Sequence, residues 1–136
     1  MKSLLMAIVM ASSCVWASPI FAEQIDGSKN AVCAALSAVV CIARKGCSQG
    51  PAESINVPQF FHVDFGAQTI RATRPNGEKI SSKIRSQAKE KGELILQGVE
   101  NSRGWSMAIS EKSGRATLTV AGDSIAYTVF GACTAP

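Results

Sequence analysis

The chain has 136 residues, 46% of them hydrophobic, and 14 Lys and Arg against 10 Asp and Glu give a net charge of +4. That length holds one domain rather than two. So mild a positive charge makes no electrostatic case for nucleic acid, and none is expected as a partner.

The first element in chain order is a leader. "MKSLLMAIVMASSCVWASPIFA" places one lysine before an apolar stretch and small residues after it, the layout of a secretory signal peptide and too short for a transmembrane helix. Cleavage fits after Ala17 or after Ala22, and Ala22 is preferred because acidic, polar "EQIDGSKN" then follows. "ASSC", ending at Cys14, only distantly resembles a lipobox, since Ala11 stands where Leu is expected. The leader is therefore assigned to residues 1–22, a flexible N-terminus to 23–30 and one domain to 31–136. The remaining chain is expected to be periplasmic, with no transmembrane segment. Without Lys2 it keeps a net charge of +3. At about 114 residues it gains from covalent support.

That support is expected from Cys33, Cys41, Cys47 and Cys133. An even count in a small exported domain reads as two disulfides. A zinc site would show close Cys-x-x-Cys pairs or several histidines, and His62 is the only histidine. A redox site would show Cys-x-x-Cys, which is absent. No metal or cofactor is expected. Of three connectivities, Cys41–Cys47 closes locally around "IARKG" and leaves Cys33 for Cys133.

"AVCAALSAVVCIA" suits a helix by its alanines but is read as a strand, with Cys33, Ala35, Ser37, Val39 and Cys41 on one face. After a Pro/Gly connector come seven alternating runs divided by turn signals: "QFFHVDF", "TIRATR", "EKISSKIRSQAK", "LILQGV", "WSMAIS", "ATLTVA" and "IAYTVFGAC". The expected fold is all-β: a single-domain antiparallel meander of about eight strands, a closed or nearly closed barrel stabilised by disulfides. In such a meander the first and last strands meet, which sets Cys33 beside Cys133 and removes exposed edges. Phe61, Val63 and Phe65 should share the inner face with Trp105, Met107 and Ile109, with Leu118 and Val120, and with Ile125, Tyr127 and Val129. "LILQGV" is apolar on both sides, so a cover from the N-terminal segment or a partner is expected.

The stretch from Leu94 to Thr134 resembles a family of short exported proteins of Gram-negative bacteria. They share a Gly–x–x–Asn–x–x–Gly–Trp centre, met here by Gly98, Asn101, Gly104 and Trp105. They also share a Phe-Gly-Ala-Cys-Thr end, met by Phe130, Gly131, Ala132, Cys133 and Thr134. The early cysteine-bracketed loop is similar too, so the likeness spans about residues 31–134. It implies an exported single domain and brings no activity with it. Members carry acidic residues between their second and third cysteines. The basic "IARKG" stands there in this chain, so no cation role follows for that loop.

Three groups are candidates for function. Arg71, Lys79, Lys83, Arg85, Lys89 and Lys91, read as one cationic face, would dock an anionic ligand or an acidic envelope protein. The bland reading of such a row is a solvated strand face. Trp105, Met107 and Tyr127 would line a small-ligand cavity if the barrel is not filled. His62 and Asp64 share a strand face, but no Gly-x-Ser-x-Gly and no free cysteine accompanies them. No catalysis is expected. The reading is a monomeric periplasmic binding or inhibitory module, built in the style of small lysozyme inhibitors at the level of fold alone. The alternative is a carrier holding a small apolar ligand inside the barrel.

Overall fold

The computed structural model describes residues 23–136; the expected leader, with its two candidate cleavage points and Cys14, lies outside them. The chain forms ten strands and one short 3-10 turn, and no α-helix occurs among the described residues. The strands are β1 (Ala31–Ile42), β2 (Gly46–Gly50), β3 (Phe60–Asp64), β4 (Thr69–Thr73) and β5 (Lys79–Lys83). They continue as β6 (Ser86–Glu90), β7 (Glu93–Glu100), β8 (Arg103–Ser110), β9 (Arg115–Ala121) and β10 (Ile125–Thr134). Every pairing is antiparallel, in the order β5-β4-β3-β1-β10-β9-β8-β7-β6, with β2 hydrogen-bonded to β1 beside this path. The result is a curled half-barrel.

Its two end strands, β5 and β6, are consecutive in sequence. They correspond to the single run "EKISSKIRSQAK", which the structure bends at Ile84 and Arg85. Counted as one bent strand, β5 and β6 restore the eight-strand meander expected from sequence. The Ile84 amide donates to the Gln68 carbonyl (2.8 Å) and the Arg85 amide to the Gln97 carbonyl (2.8 Å), one serving each limb. On one limb Ile80, Ser82 and Ile84 turn inward. On the other, Gln87 and Lys89 stand opposite Leu96 and Leu94, which are buried. The inward parity therefore switches from even to odd at the bend, because one extra residue flips every later side chain.

The same physics acts in β1. Ala35 pairs with Gly131 and Ser37 with Phe130, so Leu36 is an extra residue, a β-bulge. Leu36 is 70% exposed. Inward positions shift from Ala31 and Cys33 to Ala38. The single face expected for Cys33 through Cys41 is thus broken at Leu36. Gly131 is required opposite: a Cβ there would collide with the Ala34 carbonyl oxygen.

Both disulfides form as expected. Cys33 stands directly opposite Cys133 and joins the first strand of the barrel to the last. Cys41 stands opposite Cys47 and closes the β1–β2 hairpin. Strand β2 itself was not expected; "CSQG" is exposed and carries no apolar alternation to announce it.

The core fills one end of the barrel. Leu94, Leu96, Met107, Ile109 and Val63 are the largest fully buried side chains. Burial of such side chains contributes about 1.5–3 kcal/mol each. Residues 23–30, expected to be loose, instead cross this end. Ile25 is 3% exposed and its amide donates to the Glu111 carbonyl. The Asn30 side chain accepts from the Phe65 amide. Gly27 lies against the side chains of Leu94, Phe65 and Gln87, so this segment supplies the cover that "LILQGV" needs at one end. Val99, at the other end, stays 57% exposed.

Candidate ligand cavity at the barrel mouth

The other end is open. Three turns meet there: Arg74–Glu78 between β4 and β5, Asn101–Ser102 between β7 and β8, and residues 122–124 between β9 and β10. Asn101 and Ser102 both have positive φ and are flanked by the pair Glu100 and Arg103, a two-residue hairpin loop whose twist matches its strands. Pro75-Asn76-Gly77 turns as the sequence indicates, with the Gly77 amide donating to the Arg74 carbonyl (2.8 Å).

Inside the mouth lies a cavity of about 400 Å³. Its walls are the inward side chains of Phe61, Ile70, Ile80, Trp105, Leu118 and Tyr127, with Val120 and Val129. Its rim is polar: Arg74, Glu78, Lys79, Glu100, Asn101 and Arg103. At ~30 Å³ per water the space equals about a dozen waters, or an organic molecule of about that many heavy atoms. Small pockets of this kind, apolar within and polar at the edge, are typical ligand sites.

Trp105 organises the wall. Its Nε1 donates to the Ser82 hydroxyl (2.8 Å), tying β8 to β5 across the interior where the two strands share no ladder. Ser82 is the one buried polar side chain among the described residues, and this bond satisfies it. Gly98 stands directly opposite Trp105 on β7. A Cβ at Gly98 would come within 2.5 Å of the Lys83 carbonyl oxygen and of the indole ring. The bare glycine therefore lets the ring lie flat across β7 and lets the bend of β5 approach.

Two of the three expected cavity residues, Trp105 and Tyr127, line the space. Met107 does not; it sits one register step deeper on β8, fully buried in the floor. Ser82, Arg74 and Arg103 were missed. Ser82 had a signal, a lone polar residue on the apolar face of its strand. Arg74 and Arg103 had none, because only the topology brings the ends of β4 and β8 to one rim.

The cationic row is not one surface. Arg71 and Lys79 lie along an outer groove of about 680 Å³ with Phe60 and His62. Lys83 ends β5 on the outer face, and Arg85 is at the bend. Lys89 is turned to the inner side of its strand and pairs with Glu111 (3.3 Å) at the plugged end. Lys91 stands in the β6–β7 turn beside Glu90 (4.0 Å). One face for Lys79, Lys83, Arg85, Lys89 and Lys91 requires one straight strand, with Arg71 on the strand beside it, and the bend separates them.

His62 and Asp64 do share the outer face of β3. Both carboxylate oxygens of Asp64 are committed locally, one accepting from the Ala67 amide (2.8 Å) and the other facing Arg71 (3.5 Å). Among the described residues no group of three His, Cys, Asp or Glu side chains could hold a metal ion, and no helix is long and apolar enough to cross a membrane. No family model, curated protein or solved structure matches this chain.

Proposed function

We propose that the protein is an exported, non-catalytic binding module that takes a small, largely apolar molecule into the open mouth of its barrel. The observation that carries this is the asymmetry of the interior. One end is occupied by the fully buried Leu94, Leu96 and Ile109 and roofed by Ile25, while the other keeps a cavity walled by Trp105, Tyr127 and Leu118. Two disulfides favour an oxidising compartment, and together with the leader they support the periplasm. Kinship with the Gram-negative exported family belongs to the same proposal. Its support is that Gly98, Asn101 and Trp105 of the shared centre each do a structural job at this mouth.

The test is titration of the purified domain with a neutral naphthylamine dye that brightens in apolar surroundings. One dye per chain is expected. Val120→Trp, which fills the cavity, should abolish the binding, and Leu36→Ser on the outer face should leave it intact. No saturable binding, or binding indifferent to Val120→Trp, would sink the reading. Recovery of the protein from a periplasmic extract with Glu23 as its first residue tests the export.

A second reading has one observation in its favour. The outer groove sets an exposed Phe60 beside Arg71 and Lys79, chemistry suited to an acidic envelope protein. Charge reversal at Arg71, which lies in the groove and not at the cavity, should abolish capture of such a protein while dye binding persists.

A further inference from the structure

The rim of the cavity is chemically uneven. Among the described residues, Lys79 and Arg103 have no carboxylate within ion-pair distance. The Arg103 stem lies over Gly122 of the β9–β10 turn, since a Cβ there would stand 3.0 Å from Arg103 Cγ. Arg74 is half-buried in the wall. One terminal nitrogen donates to the Asn56 carbonyl (3.2 Å), but its buried Nε makes no hydrogen bond. Glu78 Oε2 lies 3.1 Å from that Nε without the alignment of a bond. Of the two rim carboxylates, Glu78 is taken up by Arg74, and only Glu100 faces the unpaired Lys79 and Arg103.

Resting on the cavity reading above, we infer that the mouth selects amphipathic anions, each an apolar body of about a dozen heavy atoms with one anionic head. The apolar body fills the space between Trp105, Leu118 and Tyr127. The head stays at the rim, where guanidinium groups offer planar, charge-assisted donors to a carboxylate or phosphate. A neutral molecule of the same shape gains the apolar burial alone. A cationic one meets Lys79 and Arg103 with like charge.

The experiment is calorimetric titration of the disulfide-intact domain with octanoate, octyl phosphate, octanol and octyltrimethylammonium, all below micelle-forming concentrations. Both anions should bind about tenfold more tightly than octanol, the span of one charge-assisted contact, and the cation weakest. Arg103→Gln should remove most of that preference. Glu100→Gln should strengthen anion binding a few-fold. A tenfold gap between octanoate and octyl phosphate would assign the head as the tighter of the two. Equal affinities for octanoate, octanol and the cation, or an anion preference untouched by either variant, would overturn the inference while the cavity reading stands. No binding of any of the four would overturn both.

Discussion

Gly98→Ala is the most informative single perturbation, because it strikes the seam and the cavity wall together. The new Cβ would lie within 2.5 Å of the Lys83 carbonyl oxygen and of the Trp105 ring. Lys83 is held by the β5 ladder and by the bend, so the indole must yield. Overpacking of this kind costs about 1–3 kcal/mol. A displaced indole also gives up its bond to Ser82, leaving a buried hydroxyl unpaired for about 1–3 kcal/mol more. The expected loss is about 2–6 kcal/mol, which at a slope of about 2 kcal/mol per molar urea lowers the midpoint by about 1–3 M. Urea unfolding followed by circular dichroism measures it. Trp105, the one tryptophan in residues 23–136, reports its own displacement by a red-shifted emission in the native state. Gly104→Ala is the control on the neighbouring strand: nothing lies within 4 Å of its Cβ position, so the change should stay within ~0.5 kcal/mol. A Gly98→Ala protein with an unmoved midpoint and unmoved emission would refute the account of the seam.

The two disulfides should differ in worth. Cys33–Cys133 spans 100 residues and Cys41–Cys47 spans 6, so replacing the first pair by serine should cost about 4–5 kcal/mol and the second about 2. Equal losses in denaturant unfolding would rule out loop entropy as their source. At the plugged end, the Ser28 hydroxyl (2.5 Å) and amide (2.9 Å) donate to the Asp26 carboxylate and hold its pKa below the ordinary value. A depressed acid adds stability in full above its unfolded-state pKa and loses it as pH falls through the folded value. Ser28→Ala should raise the Asp26 midpoint, read by carbon NMR of the carboxyl group, and an unmoved midpoint would exclude the hydroxyl as the main cause.

Periodicity carried much of this protein. The rows Phe61–Val63–Phe65, Trp105–Met107–Ile109 and Tyr127–Val129 point inward as their alternation requires, since the pleat admits no other arrangement. The pairing of Cys33 with Cys133 followed from the closure of the meander. What stayed hidden were two changes of phase. Nothing in "AALSAVV" marks Leu36 as an extra residue; the bulge exists because Gly131 lets the Ala34 carbonyl approach. Nothing in "SSKIRSQ" marks a bend; it exists because Ile84 and Arg85 must serve two limbs at once. Each change rests on a contact from a distant strand.

Local sequence therefore determined strand content, the inward rows and the covalent closure, because each depends on the two-residue repeat of an extended chain. The cavity depended on tertiary structure. Whether a barrel interior is filled turns on how side chains from seven strands share one volume, and on which turns meet at its rim. Arg74, Trp105 and Tyr127 are far apart in the chain, and only the curl of the sheet makes them parts of one site.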